Sequence, residues 1–281
     1  RNGTAYHTSI KSSDVRGFCA VAIVALLLPI SCIHEDRGGC PTYMTIDLSS
    51  IPGSVNNLHL ILEYEGREVY ADTIYREEFG EIYERAVPKG VANMAIFGNI
   101  ANMRYEDGYV IPTGLPLDDL YTYFTKIEIR NDLMDKSIYL NKNHIGTHIM
   151  ICEPSGAVNS GINMEITGPI VGYDNQGSPI NGEFYHSPLP NHIPTEDEGY
   201  YIFETRLPRL TPEDDFRLKI SSASDGVTVA LIPILEKIAQ SGYDLTSSEL
   251  EDLYIEIDIS RSAIKISAEG FNSIFHVETT F

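Results

Sequence analysis

Short stretches in which apolar and polar residues alternate recur along most of the chain, and they restrict its fold more than any other feature. The stretch from Thr42 to Leu48 places Met44 and Ile46 on one side of an extended backbone. A period of two is typical of a half-buried β-strand. One segment, from Pro233 to Gly242, instead has the apolar spacing of a helix, with Pro suited to its start and Gly to its end. The sequence therefore predicts an all-β fold with one short helix.

A small, polar segment divides the predicted strands into two groups. Residues 153–161 contain one Pro and two Gly and no large apolar side chain, as linkers often do. We predict two consecutive β-sandwich domains, over residues 42–154 and 161–281, with the helix in the second. Local turn chemistry adds a hairpin turn at Asn181-Gly182 and a short helical turn within Thr246–Leu253. Further turns are predicted at Asp174–Gly177 and Asp225-Gly226.

The N-terminal part has the pattern of an export signal. Lys11 and Arg16 precede a charge-free apolar segment, Phe18–Ile30, which is too short to span a membrane easily. The exit Pro29-Ile30-Ser31-Cys32 resembles a bacterial lipobox, although Pro29 takes the place of the usual leucine. We expect residues 1–31 to be a signal peptide, Cys32 to be lipidated and residues 32–41 to form a tether. The alternatives are a plain signal with a cysteine nearby, or an uncleaved anchor.

Two further cysteines remain after the signal and the lipid site are assigned. Cys40 precedes the first predicted strand and Cys152 ends a later one. In an oxidising compartment such a pair is expected to form a disulfide, and the alternative is two buried free thiols. A bond closing this long loop would stabilise the fold by about 4 to 5 kcal/mol in the chain-entropy model.

The charge balance limits the kinds of partner. The chain has 20 Lys and Arg against 40 Asp and Glu, a net charge of −20 at pH 7. Such an acidic chain is unsuited to nucleic acid and to membrane binding through a basic patch. We therefore expect no nucleic-acid partner.

The residues with catalytic or metal-binding chemistry do not form a recognisable motif. His144, His148 and Cys152 recur every four residues, but they lie in a predicted strand, where such positions stand about 13 Å apart, too far to share a zinc ion. Cys152 has no histidine partner apparent in the sequence, and no glycine-rich phosphate loop occurs. We expect no metal, no cofactor and no catalytic residue.

Adjacent acidic residues leave one enzymatic alternative open. A glycosidase needs two carboxylates at a set separation in a cleft. Pairs occur at Glu77-Glu78, Asp118-Asp119, Asp214-Asp215 and Glu251-Asp252. In a chain this acidic, pairs on solvated faces are the simpler interpretation, and a hydrolase is the alternative.

Several short motifs follow one another in a definite order. From the N-terminus they are Cys40-Pro41, Phe97-Gly98-Asn99, Asp118-Asp119-Leu120-Tyr121, Phe203–Leu207, Leu253–Ile257 and Phe271-Asn272. In this order, and behind the lipobox-like exit, they resemble the fimbrial anchor lipoproteins of the Bacteroidales (FimB-like proteins). The resemblance extends from Cys32 to the C-terminus.

This resemblance implies two transthyretin-like β-sandwich domains, no catalysis and an outer-membrane, surface-exposed location at the base of a fimbrium. The implied partners are fimbrial structural subunits, other fimbrial accessory proteins and, through the lipid, the outer membrane. The implied mode of assembly is strand addition between subunits. The C-terminal strand is a candidate for exchange, through Phe271, Phe275, Val277 and Phe281, or it is simply the last strand of the second domain. Arg37 is a possible cleavage site in the tether.

A surface adhesin or glycan-binding lipoprotein is the alternative function. It rests on Tyr105, Tyr109 and Tyr121, three aromatic residues in or near an irregular segment that we expect at the surface.

Overall fold

The structure is a computed structural model that describes residues 40–64, 68–78, 80, 82–101, 108–152, 161–195, 199–211, 213–259, 261, 263–268 and 275–278. The predicted signal peptide and Cys32 lie outside these residues, as does most of the predicted tether. None of the helices in the described residues is long and apolar enough to cross a membrane.

The described residues form nineteen strands, one α-helix and a short 3-10 turn at Arg76–Glu78. The all-β prediction is therefore confirmed. The elements, in chain order, are β1 (Thr42–Asp47), β2 (Asn57–Tyr64), β3 (Glu68–Tyr75), β4 (Ile82–Val87), β5 (Gly90–Gly98), β6 (Tyr109–Val110), β7 (Tyr121–Ile129), β8 (Leu133–Ser137), β9 (Asn141–Lys142), β10 (His144–Cys152), β11 (Ile162–Tyr173), β12 (Pro179–His186), β13 (Pro190–His192), β14 (Tyr200–Pro208), β15 (Arg217–Ser222), β16 (Thr228–Pro233), α1 (Ile234–Ser241), β17 (Leu253–Asp258), β18 (Ala263–Ala268) and β19 (Phe275–Glu278).

The first sandwich packs a three-stranded sheet, in the order β4-β1-β8, on a five-stranded sheet, in the order β3-β2-β5-β7-β9. The alternation in β1 determines which side faces the core: Met44 and Ile46 are buried, whereas Tyr43 is 61% exposed. Across the core, β2 and β5 contribute Leu60 and Met94, which are also buried. Apolar burial on one face of each sheet is the main stabilising contribution.

The second sandwich packs a six-stranded sheet on a smaller one. The strand orders are β13-β14-β10-β17-β18-β19 and β12-β11-β15-β16, with β6 also paired to β11. Phe203, Ile255 and Ile220 lie in its core. Helix α1 buries Ile234, Leu235 and Ile238 against this core.

The second sandwich includes a strand that the sequence analysis placed in the first domain. β10 pairs along its whole length with β14 and runs parallel to β17. Its inward residues Ile145, Ile149 and Ile151 belong to the second core. The change of sheet therefore occurs at Asn143, between β9 and β10, ahead of the predicted linker. Alternation showed that this segment is a strand, but only long-range pairing determines which sheet it joins.

The two sandwiches also share apolar contacts. Ala95 and Phe97 of β5 lie on the face of the five-stranded sheet that is turned away from the first core, and they join the second core. The Phe97 ring packs edge-on against Phe124 of β7, with centroids 5.4 Å apart. The turn at Asp174–Gly177 in the second sandwich reaches the same ring. A Cβ on Gly177 would lie 2.5 Å from Phe124.

Local turn predictions had mixed outcomes. The helix ends as predicted, with Gly242 in the left-handed conformation at φ 82°. The Asp225-Gly226 hairpin turn is confirmed by Gly226 at φ 72°, with its N–H donating to Ser222 O. The predicted helical turn within Thr246–Leu253 is wrong: it is a non-helical loop in which Asp244 Oδ1 accepts hydrogen bonds from Thr246.

The predicted hairpin turn at Asn181-Gly182 is also wrong, because both residues lie inside β12. Gly182 is needed there for space: an added Cβ would meet Val171 of β11 at 2.8 Å. The turn that joins β11 to β12 is the one predicted at Asp174–Gly177. Its Gly177 has φ 85° and donates its N–H to Asp174 O.

Candidate binding surface on the six-stranded sheet

The outward face of the six-stranded sheet carries polar and aromatic side chains, and among the described residues no other sheet covers it. In β10, Ile149 points into the core while His148 and Met150 are partly exposed. Strand pairing places Glu204 of β14 on one side of His148 and Tyr254 of β17 on the other. The result is a mixed surface built from three neighbouring strands.

A cleft of about 460 Å³ lies where this face meets the end of the five-stranded sheet. Its charged side chains are paired with one another. Arg206 of β14 forms an ion pair with Asp119, donating from Nη2 to Oδ2 over 3.3 Å. His148 Nδ1 lies 3.4 Å from Glu204 Oε1. Both signs of charge are therefore presented to the cleft, alternating over short distances.

A third ion pair in the cleft depends on a glycine. Lys142 Nζ donates to Asp252 Oδ1 over 2.8 Å. The carboxylate lies directly over the backbone of β10, since a Cβ on Gly146 would be 2.5 Å from Asp252 Oδ1. Burial opposes ionisation of Asp252, but the hydrogen bond and charge of Lys142 outweigh it, and the pKa is lowered. This carboxylate is therefore charged at neutral pH.

His144 forms the floor of the cleft and is almost fully buried. Its Nδ1–H donates to Leu120 O over 3.0 Å, and its ring packs edge-on against Tyr121, with centroids 5.5 Å apart. Its Nε2 lies 3.7 Å from Asp119 Oδ1. Burial lowers the pKa of His144, and the nearby carbonyl and carboxylate reduce this effect. The ring is therefore neutral at pH 7.

Two stacked ring pairs lie on the same face beyond the cleft. His148 and Tyr254 stack with centroids 4.8 Å apart and 9° between planes, and His192 and Tyr200 stack at 4.8 Å and 27°. Met150 and the first pair line a second depression of about 350 Å³. Rings, an apolar floor and paired charges together suit a polar organic ligand or a polypeptide. In the described part of the chain, no group of three His, Cys, Asp or Glu side chains could hold a metal ion.

The predicted strand-exchange segment is described only in part. Phe271 and Phe281 lie outside the described residues. Phe275 and Val277 lie in β19, which pairs antiparallel with β18 and forms one edge of the six-stranded sheet. An edge position is what strand exchange requires, but it is equally the position of an ordinary last strand.

The structure shows no bond between the two cysteines of the predicted disulfide, which stays a prediction. Cys40 is exposed and Cys152, at the end of β10, is partly exposed. Burial and the charges of Glu256 and Asp258 raise the pKa of Cys152. This thiol therefore lacks the environment that activates a nucleophilic cysteine.

The aromatic residues proposed as an adhesive surface are not exposed. Tyr109 is fully buried, and its hydroxyl donates to Asp118 Oδ2 over 3.2 Å. Tyr121 is 8% exposed, with its hydroxyl 3.0 Å from Ser54 Oγ. Tyr105 lies outside the described residues. The prediction was wrong for Tyr109 and Tyr121. The described residues on either side of Tyr105 contribute Ile100, Tyr109, Ile111 and Leu117 to the second core, so this part of the chain is buried rather than exposed.

Sequence reasoning did not identify most residues of the candidate surface. The alternation of Tyr201 and Phe203 is a signal from which the outward direction of Glu204 could have been predicted. That Glu204 lies beside His148 depends on the register of β10 and β14, whose paired residues are 48 to 64 positions apart. Arg206 and Tyr254 were missed for the same reason.

Comparison with known proteins gives matches at the level of structure. No protein-family model matches the sequence, and no curated protein matches it. The fimbrial anchor protein Mfa2 from Porphyromonas gingivalis aligns with a TM-score of 0.62 at 11% identity, over 83% of this chain and 98% of that one. A candidate adhesin from Bacteroides ovatus aligns with a TM-score of 0.61 at 9% identity, over 85% of this chain and 96% of that one.

A candidate polysaccharide-binding protein from Bacteroides thetaiotaomicron gives a TM-score of 0.62 at 11% identity, over 85% of this chain and 98% of that one. Identities this low establish the fold alone. The chain therefore shares the two-sandwich fold of a fimbrial anchor protein from Porphyromonas gingivalis and of a candidate adhesin from Bacteroides ovatus.

Proposed function

We propose that this chain is a non-enzymatic surface subunit of a fimbrium, of the anchor or accessory type, held in the outer membrane by lipid at Cys32. The observation that carries the proposal is the alignment with the anchor protein Mfa2, which extends over nearly all of that protein and so includes both sandwiches. The lipobox-like exit supports the anchoring role. Its partners would be fimbrial structural and accessory subunits.

The charges of the cleft support binding rather than catalysis. A glycoside hydrolase requires one carboxyl group that is held protonated to act as the acid. Asp119, Glu204 and Asp252 all line the cleft, but each has a cationic or histidine partner. The pKa of Asp252 is lowered rather than raised. Side chains paired in this way keep the cleft surface fixed and can form hydrogen bonds with polar groups of a ligand.

Metabolic labelling with palmitate tests the anchor. The parent protein should incorporate label, and Cys32→Ala should not, while Cys40→Ala should label like the parent. Equal labelling of Cys32→Ala would refute lipidation at this residue. A deletion strain should shed its fimbriae into the medium, and fimbriae that stay attached at normal length would refute the anchoring role.

Glycan binding is the second candidate, and the outward face of the six-stranded sheet is the observation that favours it. Sugars stack on aromatic rings through their apolar faces and use carboxylates and cations as hydrogen-bond partners. A glycan array should then show binding that is lost in Tyr254→Ala. Tyr139→Ala, at a tyrosine that is 70% exposed on the first sandwich, is the matched control. Equal binding by both variants, or none by the parent, would exclude this surface as a glycan site.

A further inference from the structure

The edge strand β16 carries no charged side chain. Sheet edges are usually protected from pairing by charges, by proline, by β-bulges or by being very short. In β16 the pairing with β15 shifts register at Val229 and the strand ends at Pro233, so these two features lie on either side of Leu231 and leave the middle of the strand unprotected. The other edge strands in the described residues have at least one of these features: β3 (Asp72), β4 (Glu84, Arg85), β8 (Asp135, Lys136), β9 (two residues), β12 (Pro179, Glu183), β13 (three residues, Pro190) and β19 (Glu278). β16 lies in a run of ten uncharged residues, 226–235, and its only proline is its last residue.

The side chains of this strand are also unusually apolar for their exposure. Val227, Val229 and Leu231 are 60%, 39% and 52% exposed. Within the described part of the chain, β15 is the one strand that pairs with β16. Helix α1 turns inward after Pro233 and buries its apolar residues in the core. A row of aliphatic side chains is thus left along an edge without charge.

The hydrogen-bond register identifies which backbone groups point away from β15. Ile234 N donates to Phe216 O, so the pair 234/216 is a hydrogen-bonded one. The pairs continue in register to Ala230, and hydrogen-bonded positions alternate in antiparallel sheets. Residues 232 and 230 therefore bond to β15, and the N–H and C=O of Leu231 point to the open edge.

We propose that two copies of this chain associate through β16, with a twofold axis at Leu231 that joins their sheets edge to edge. In this arrangement each Leu231 donates its N–H to the other's C=O, and the two leucine side chains lie side by side on the outer face. Pro233, which has no N–H, falls opposite Val229, where the register of β16 shifts, so the two Leu231 residues provide the hydrogen bonds of the contact. Because β16 has no charged side chain, the two paired strands place no like charges opposite each other. The strand can therefore pair with its own copy although the whole chain has a net charge of −20.

This contact is small, so the dimer is weak and depends on concentration. The net charges repel, and salt screens that repulsion, so the dimer should strengthen as ionic strength rises. The association does not depend on lipid at Cys32 or on a fimbrial role, and it can fail or succeed independently of the proposed function.

Cysteine cross-linking tests the register. In a hydrogen-bonded antiparallel pair the two Cα atoms are about 5.5 Å apart, within the range of a disulfide. Leu231→Cys in the purified full-length chain should therefore form a disulfide dimer under mild oxidation, several-fold above the parent with its native cysteines. Val229→Cys has similar exposure but faces Pro233 of the other copy, and Tyr185→Cys lies on the opposite edge, in β12. Both variants should form no more disulfide dimer than the parent chain.

Sedimentation provides the second readout. The parent should show a monomer–dimer equilibrium that shifts to dimer with salt, and Leu231→Lys should raise the dissociation constant at least about tenfold, because it places two like charges opposite each other. Tyr185→Lys should leave it unchanged, and circular dichroism should show that both variants are folded. Cross-linking of Leu231→Cys no greater than that of Val229→Cys, or a parent that stays monomeric at high salt, would overturn the proposal.

Discussion

Arg209 holds together the part of the molecule where the chain passes from the first sandwich to the second. Its guanidinium donates to Asn143 Oδ1 over 2.9 Å, to Lys142 O over 2.9 Å, and to Leu245 O and Ser247 O over 3.0 and 2.8 Å. Asn143 is the single residue between β9 and β10. One side chain therefore ties the crossover to the loop that follows helix α1.

We predict that Arg209→Ala destabilises the protein by about 3 to 4 kcal/mol. Hydrogen bonds from a charged donor contribute about 1.5 to 3 kcal/mol each, so four fully buried ones would sum to about 6 kcal/mol even at the low end of this range. Arg209 is only half-buried, and water can reach some of the acceptors it would leave, which lowers the cost. Arg209→Lys keeps the charge but not the fork of donors, and should cost roughly half as much.

Unfolding in guanidinium chloride measures these free energies, and hydrogen exchange of residues 243–252 shows whether the loop has loosened. Arg217→Ala is the matched control, since Arg217 makes two hydrogen bonds to Asp215 but is exposed. Arg217→Ala should cost much less than Arg209→Ala, because solvent screens an exposed ion pair. If Arg209→Ala costs no more than Arg217→Ala, the hydrogen bonds of Arg209 do not stabilise the protein. If Arg209→Lys costs as much as Arg209→Ala, the remaining positive charge contributes nothing and the predicted difference between the two variants is wrong.

Three further perturbations test other parts of the same junction. Gly177→Ala should cost about 2 to 4 kcal/mol by thermal unfolding, because φ is 85° and the new Cβ meets Phe124. Gly226→Ala is the control and should cost only about 1 to 2 kcal/mol, because φ is 72° but the space around it is open. Equal costs would contradict the contact with Phe124. Gly146→Ala should displace the Asp252 carboxylate from Lys142, so NMR titration should show that the pKa of Asp252 rises. An unchanged pKa would count against the ion pair between Lys142 and Asp252. Burial lowers the pKa of His144 from its ordinary 6.5, so the unfolded chain takes up the proton first and stability declines as the pH falls below 6.5. Replacing His144 with Gln should reduce that decline in chemical unfolding, and an identical pH slope would refute the assignment.

Local chemistry made several elements predictable from the sequence. Helix α1 begins after Pro233 and ends at Gly242 because each residue suits the backbone conformation at its position. The hairpin at Asp225-Gly226 follows from a glycine at positive φ. In these cases the residues that determine the structure are neighbours in the chain.

Features that depend on distant residues could not be predicted. Alternation identified β10 as a strand, yet its place between β14 and β17 depends on pairings that cross the predicted domain boundary. Asn181-Gly182 has the composition of a turn, but Gly182 instead makes room for Val171 inside a strand. The cleft was missed because its acid–base pairs join residues that are far apart in the chain, such as Lys142 and Asp252, which are 110 positions apart.

The position of β10 also limits how the protein can work. β10 is a central strand of the second sandwich, and one residue, Asn143, links it to β9 of the first. Phe97 and Phe124 of the first sandwich pack against the second core. Separating the sandwiches would pull out a central strand and expose these rings, so a hinge between them is not a plausible way to uncover a binding groove. Strand addition at an outer edge, such as β16 or β19, requires no such opening, so both sandwiches can remain rigid when an edge strand pairs.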